Sequence, residues 1–379
     1  MTKMMIGFTF FRFMFILGGH HMIVSALSMQ TNIIRIGTRP SPLAKIQARA
    51  VGEALRKISA DELQIQIVEI ITTDDQDRST AVTQNVPLAV KSVDFTGALD
   101  QALLNNEIDA AVHSLKDVPP SSRWCDGLEI ACCLPREDPM DVVVSMSVDG
   151  YSSIRSLPPN GVRVGTSSVR RQAQILSLRD DLELVNLRGN VEARLDALRI
   201  GKVDALILAC AGLNRLMSSN RINVENFSDL KWHNLAPEEM LSGACQGIVG
   251  VAIRASDAST SDWLSKINDV DASITAAAER SFLDVLDSFR PITYNNDESL
   301  EWKGRPPLAA LMAKSGNEDD ENDSWTFQGM LARPDGSKVL RSVSSAPNCI
   351  SMNEGKELGE ACAKHLLEKA GPDFYQRQD

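Results

Sequence analysis

Five consecutive residues, His113-Ser114-Leu115-Lys116-Asp117, follow the nearly all-apolar run 109–112 and offer an imidazole, a hydroxyl, an ammonium and a carboxylate within one turn of chain. Open α/β sheets gather their sites at the C-terminal ends of such buried strands. Packing explains four polar side chains in five positions poorly; a polar loop closed by a capping Asp is the plainer alternative. A second cluster, Gly165-Thr166-Ser167-Ser168-Val169-Arg170-Arg171, combines backbone N–H groups, three hydroxyls and two guanidiniums at one helix start. That is an anion cradle, with a forked donor that Lys could not reproduce. Arg188-Gly189-Asn190 ends the apolar-polar alternation 182–187, and Arg194 lies at or near the same helix start. From 155 to 215 nine Arg and one Lys face six acids, so one lobe carries a cationic face. Single surface Arg residues usually form solvated pairs; several at strand ends point to a ligand with many carboxylates.

The cationic face is local, because the 379-residue chain has 39 basic and 50 acidic side chains and a net charge of −11. General attraction to nucleic acid or an anionic membrane is excluded on that balance. With 43% hydrophobic and 23% charged residues the composition is globular, enough for two or three domains. Seven Cys without a CxxC pair indicate neither a zinc site nor a disulfide framework, and a reducing compartment is the simpler setting.

Two copies of one plan position these residues. Ile34-Arg35-Ile36-Gly37-Thr38 runs into a helix opened by Ser41 and Pro42, and Val162-Arg163-Val164-Gly165-Thr166 runs into the helix of Arg170 and Arg171. A second matching pair, 102–112 and 197–207, reads as a helix, a polar turn and an apolar strand covered on both faces. The expected architecture is α/β: a first lobe over 32–135 and 243–265, a second over 139–240, and a small α+β domain over 270–379. Crossovers are expected at Glu137-Asp138-Pro139 and after Leu235-Ala236-Pro237, with a returning strand at 248–253. In the third domain, helices are expected over 274–286 and 355–369, with strands at 308–313, 325–331 and 339–343. The acidic run 318–323 reads as a solvated loop. Residues 1–31 lack acids and place bases, an apolar stretch and small residues in the order of a targeting segment; a start at Met22 or Met29 is the alternative. The apolar stretch is too short to span a bilayer, and no membrane association is expected of the body.

The segments IRIGTRPSPLA, EIDAAVHSLKDVP, PREDPMDV, VGTSSVRRQAQ, LRGNVEARL, LILACAGLNRL and AERSFL, in this order, resemble the porphobilinogen deaminase (hydroxymethylbilane synthase) family across nearly the whole chain from Ile33. The resemblance implies two lobes similar to periplasmic binding proteins and a small third domain. It implies a transferase of porphyrin biosynthesis that condenses four porphobilinogen molecules onto a covalently held dipyrromethane primer, with loss of ammonia, to give a linear tetrapyrrole. By match to the family's motifs, Arg39, Ser41, Arg170, Arg171, Arg188, Arg194 and Arg215 would hold the acetates and propionates of the growing polypyrrole, with Ser114, Lys116, Thr166, Ser168 and Gly189 assisting. Asp117 would face the pyrrole N–H groups and stabilise the cationic azafulvene left by deamination. No metal or nucleotide is required, in keeping with the lack of a P-loop or GxGxxG run. A monomer is expected, in a plastid if the leader is real and otherwise in the cytoplasm.

Two segments depart from the family's pattern. Its primer is attached through a Cys in a run like GSCRTPIAG or GGCQVPIG, whereas Leu286-Asp287-Ser288-Phe289-Arg290-Pro291-Ile292-Thr293 has none and puts Ser288 or Phe289 at that position. A Ser hydroxyl is a far weaker nucleophile than a thiol without an activating base. Its Gly- and Lys-rich loop of the form GGKGLFTKEL is replaced by the shorter run 90–99. These departures set a non-catalytic paralogue that binds tetrapyrrole or polycarboxylate anions beside the enzyme. A hydrolase using Ser114 and Lys116 would lack any nucleophile-elbow sequence.

Overall fold

The computed structural model describes residues 32–60, 62–71, 95–146, 148, 150–219, 228–287, 306–315, 324–347, 351–372 and 374. The expected leader 1–31, the acidic run 318–323, Ser288 and Phe289 lie outside the described residues, as does 90–94 of the shortened loop.

Strands β1 (Asn32–Thr38), β2 (Leu63–Glu69), β3 (Ala110–Ser114), β4 (Leu128–Cys133) and β10 (Val249–Arg254) form one sheet in the order β2-β1-β3-β10-β4. Strands β5 (Asp141–Met146), β6 (Arg163–Gly165), β7 (Glu183–Val185), β8 (Ala205–Ala209) and β9 (Leu230–Asn234) form the second in the order β7-β6-β8-β5-β9. In each, three parallel strands are followed by a strand that enters from a crossover and runs antiparallel: β10 beside β3 and β4, β5 beside β8 and β9. The two orders superimpose element by element, so the two-copy plan extends to the whole sheet.

One repeated contact explains why both copies fold alike. Arg35 clasps Asp109 through its backbone N at 2.8 Å, Nε at 2.9 Å and Nη2 at 2.6 Å. Arg163 clasps Asp204 in the same way, at 2.8, 3.0 and 2.7 Å. Arg35 sits in β1 and Arg163 in the equivalent β6, and each Asp lies just before the strand beside it. The forked pair therefore sets the register of β1 on β3 and of β6 on β8.

Helix α1 (Pro42–Ser59) follows β1, with Ser41 as N-cap accepting from Ala44 N and Pro42 at the first helical position. Its inward face is Gln47, Ala48, Val51 and Leu55, spaced for one stripe. Helix α2 (Gly97–Leu104) precedes β3, α3 (Val169–Leu178) follows β6, α4 (Val191–Arg199) precedes β8, and α5 (Cys210–Ser218) follows it. Helix α6 (Ala258–Ser265) closes the first lobe.

Strand β3 continues through His113 and Ser114, two residues beyond the expected strand end, because both pair with Gly250 and Val249 of β10. Only Leu115–Asp117 form a short 3₁₀ turn.

In the third domain, helices α7 (Val270–Asp287) and α8 (Met352–Ala370) cover a sheet of β11 (Leu308–Ser315), β12 (Ser324–Ala332) and β13 (Val339–Pro347). Phe282, Phe327, Trp325 and Cys362 meet in its core. These elements extend at most four residues past the expected ends, the strands because they pair over their full antiparallel register.

The crossovers lie side by side. Leu134 N donates to Val249 O at 3.0 Å and Glu137 N to Gly247 O at 3.1 Å. Gly247 has φ +90°, and a Cβ there would overlap the Glu137 carbonyl, so this hinge demands glycine. Helix α7 locks it. Glu279, fully buried, accepts from Arg136 Nη1 at 2.8 Å and Nη2 at 3.2 Å, from Met312 N at 2.7 Å, and from Cys245 N. Burial pushes the Glu279 carboxyl up and Arg136 opposes that shift. Removing one partner of such a pair strands a buried charge at a cost of about 3–5 kcal/mol. Glu279→Ala is therefore expected to lower the unfolding free energy by about that amount in a urea titration, whereas the exposed pair partner variant Lys364→Ala should change it by less than about 0.5 kcal/mol.

Candidate active site

The end of β3 and the start of α1 meet in a small open pocket lined by Arg39, Ser41, Gln47, Phe95, His113, Ser114 and Asp117. Four of these residues were expected from sequence to act together, and the β1-to-α1 and β3-to-turn connections bring them there. Arg39 lies over the Phe95 ring, 4.5 Å from its centroid. Gln47 Nε2 donates to Ser114 Oγ at 2.8 Å. His113 is buried, its Nε2 lacks a hydrogen-bond partner, and desolvation with the nearby Arg39 charge pushes its pKa down to about 4. It is thus a neutral imidazole with an unspent polar atom at ordinary pH.

Lys116 faces the second lobe. Its Nζ donates to Gln246 Oε1 at 3.3 Å, and it lies in the fields of Asp117, Arg171, Asp141 and Arg170. Surrounding protein pushes its pKa down to about 8, chiefly by desolvation. The side chain is nevertheless exposed on the cleft side, where solvent offsets part of that shift.

Arg170 and Arg171 come to the cleft floor with less than a tenth of their surface exposed. Both are held by Asp141, the first residue of β5 and fully buried: Arg170 Nη1 at 2.6 Å and Arg171 Nη2 at 2.7 Å. Arg170 Nη1 also donates to Leu241 O and Arg171 Nη1 to Ile207 O. Arg171 Nε is buried without a partner. Burial pushes the Asp141 carboxyl up, but the two guanidiniums outweigh it and hold the pKa well below the usual carboxylate range.

Arg194 is half-buried, donates from Nε to Gly189 O at 2.9 Å, and is pushed down to about 10 by desolvation and the Arg171 charge. Arg188 is half-buried in the same turn, where Gly189 takes φ +111°. Thr166 is buried and its Oγ1 accepts from Ser168 N at 3.2 Å. Ser168 stands at the N-cap of α3 with no side-chain capping bond. Arg215 sits at the hinge, its Nη2 donating to Gly247 O at 2.6 Å.

The cationic face is smaller than the Arg count suggested. Arg163, Arg179 and Arg199 are paired with Asp204, Asp181 and Asp229.

Residues 34–262 match the family model described as porphobilinogen deaminase, dipyromethane cofactor binding domain. The chain is 37% identical over 351 residues to the chloroplastic porphobilinogen deaminase of Oryza sativa, covering 91% of this chain and 86% of that one. It is 36% identical over 347 residues to the porphobilinogen deaminase of Paracoccus denitrificans, covering 91% and 96%. The chain belongs to the porphobilinogen deaminase family. Among solved structures, the periplasmic aliphatic sulphonate binding protein SsuA of Escherichia coli matches at TM-score 0.36 and 14% identity, over 68% of this chain and 70% of that chain. That score is too low to carry a fold assignment, which rests on the strand orders above.

The family's dipyrromethane has two rings, each with an acetate and a propionate, and the Lys116, Arg170, Arg171 and Arg194 group fits such acids in charge and in its unspent Arg171 Nε. The thiols fit less well. Cys132, Cys133 and Cys210 are pushed up to about 12, 11 and 12, and Cys245 and Cys362 are also raised, in every case chiefly by burial. None of these five presents a thiolate.

Sequence reasoning passed over Gln47, Phe95, Asp141 and Gln246. Gln47 was legible as a polar residue on the inward stripe of α1, and Asp141 as an acid opening an all-apolar strand. Asp141 also dictates an acid dependence. Its folded pKa lies below the unfolded value of about 3.9, so its stabilisation is present above that value and is lost as pH falls through the folded pKa. Asp141→Asn is expected to lower the melting temperature at pH 7 and to flatten the fall in stability between about pH 4 and pH 2, both read by thermal unfolding across pH.

Proposed function

We propose that the protein is a porphobilinogen deaminase, joining four porphobilinogen molecules into the linear tetrapyrrole hydroxymethylbilane with release of ammonia. The observation that carries this reading is that Lys116 of the first lobe, next to Asp117 in the chain, is joined through Gln246 to the Asp141 that anchors Arg170 and Arg171 of the second. One carboxylate at the edge of a cationic cleft suits a substrate that is polyanionic at its rim and turns cationic at its reacting carbon.

Porphobilinogen loses its protonated aminomethyl nitrogen as ammonia. The C–N electron pair leaves with nitrogen, and the remaining methylene carbon shares its positive charge with the pyrrole ring. A carboxylate accepting the pyrrole N–H lowers the energy of that cation as it forms, and Asp117 is our assignment for it. Arg39, Ser41 and the Gln47–Ser114 pair line the pocket beside it and suit the acetate and propionate of the incoming ring.

When bound, the dipyrromethane supplies the ring carbon to which the first unit is joined. Thr166, Ser168, Arg170, Arg171, Arg188, Gly189 and Arg194 would hold its acids and those of the lengthening chain. Arg215 would act from the hinge. Action as a monomer is part of this reading. Delivery to a plastid is our reading of residues 1–31, supported by the chloroplastic relatives of Oryza sativa and Pisum sativum; the bacterial relatives keep the cytoplasm as the alternative.

Intact mass before and after porphobilinogen, with uroporphyrin formation, tests the reading. Growth in pyrrole-sized steps together with uroporphyrin is expected; saturable binding without either would favour the non-catalytic paralogue. Asp117→Ala should cut kcat by roughly 10²–10³-fold or more while anion binding persists. The ammonium of Lys116 is lost as pH rises through its lowered pKa, between about 8 and the ordinary lysine value. KM for porphobilinogen is therefore expected to rise over that range, and Lys116→Met should remove this limb of the KM profile.

A further inference from the structure

Gln246 lies in the second crossover and is 1% exposed. The backbone is shaped on both sides of it: Cys245 has φ +61° and Gly247 φ +90°. The left-handed region disfavours a side chain such as that of Cys245 and persists where surroundings over-determine it. Here Glu279 accepts from Cys245 N and the Glu137 and Arg215 N–H groups converge on Gly247 O. A hinge held this firmly fixes where the Gln246 amide points.

That amide joins the two lobes' charges. Its Oε1 accepts from Lys116 Nζ at 3.3 Å, while its Nε2 donates to Pro139 O at 2.7 Å and to Asp141 Oδ1 at 2.9 Å. Asp141 Oδ1 is the same oxygen that takes Arg171 Nη2. One buried side chain therefore touches the first lobe's cleft lysine, the first crossover and the anchor of the second lobe's arginines.

We propose that Gln246 is a positioning residue that holds the Lys116 ammonium at a fixed place relative to Arg170 and Arg171, so that cations of both lobes meet one polycarboxylate ligand. This rests on the cleft being the substrate site. An amide is suited to the task because it is donor on one side and acceptor on the other. A carboxylate would accept from Lys116 but confront Asp141 and the Pro139 carbonyl, and a methionine would do neither.

The pH dependence of Lys116 acylation by acetic anhydride, read by peptide mass spectrometry on the full chain, tests this without any enzymatic turnover. The charged groups facing the ammonium are Asp117, Asp141, Arg170 and Arg171. Gln246→Met removes its acceptor and should move the acylation midpoint to lower pH; Gln246→Glu adds a negative charge and should move it higher. Unchanged midpoints in both variants would overturn the proposal, and if Gln246→Met does not fold, the direction in Gln246→Glu decides alone.

Kinetics supply the second arm. Gln246→Met should raise KM for porphobilinogen roughly tenfold, the loss of one hydrogen bond to a charged group, with kcat within about twofold, and the effect should vanish in a Lys116→Met background. A full-sized effect in that background would overturn the role through Lys116. A protein that forms no tetrapyrrole would sink the functional reading instead, while acylation would still decide the placement of Lys116.

Discussion

The cleft depends on one buried carboxylate. Arg170 and Arg171 are adjacent in sequence and nearly buried, an arrangement whose repulsion and desolvation would be prohibitive without Asp141 between them. Such a triad is weak support for stability, since apolar side chains of similar volume often do as well. Its value is in presenting fixed, largely desolvated guanidiniums, which act more strongly on an anion than they would at a solvated surface. An acidic protein of net charge −11 can bind a polyanion only by concentrating cations in this way.

Anchoring through Asp141 ties the second lobe's cations to the crossover itself, because Asp141 is the first residue of β5 and the crossover ends there. The hinge, in turn, is gripped by helix α7. Glu279 reaches Arg136 of one crossover and Cys245 N of the other, and the neighbouring Arg280 donates to Val118 O and Pro119 O just past Asp117. Asp284 and Asp287, one turn and two turns further on, accept from Ser121 N and Ser122 Oγ. Carboxylates at a helix C-terminus are unfavourable to its dipole, and these two are offset by donors from the loop that follows the Leu115–Asp117 turn. The third domain thus bears on the placement of Asp117 and on the hinge at once.

The sequence was most legible where local rules and global fold agree. Both Gly-Thr turns, both apolar strands and the capped start of α1 follow from period, cap and turn chemistry, and the lobes emerge from them. The Arg35–Asp109 and Arg163–Asp204 clasps were hidden because each joins residues distant in the chain, and only the strand pairing reveals that they are equivalent. For the same reason Arg163 could be counted with the cleft cations although it is spent on Asp204. Asp117, Ser114 and Lys116 were legible from their crowding after a buried strand; Asp141 and Gln246 were not, since a single acid or amide in an apolar context has many bland explanations. Their meaning appears only when the two crossovers are laid side by side.

The duplicated plan also carries different side chains at equivalent positions of the two lobes. The strand ends β3 and β8 are equivalent, yet β3 runs into Ser114, Lys116 and Asp117 while β8 runs into Cys210, Ala211 and Gly212. At the other equivalent position, β1 leads to Arg39 and Ser41 and β6 leads to Thr166, Ser168, Arg170 and Arg171. Both lobes keep an anion-holding turn at the first site, where helix N-termini already favour anions. Only the first lobe places a carboxylate at the second. A cationic intermediate is stabilised by a negative group aimed at one atom, and a second carboxylate facing it across the cleft would repel the acids of the same molecule. An apolar end to β8 leaves the cations of the second lobe unopposed, so that under the proposed function one lobe would meet the positive carbon while the other would hold the anionic rim.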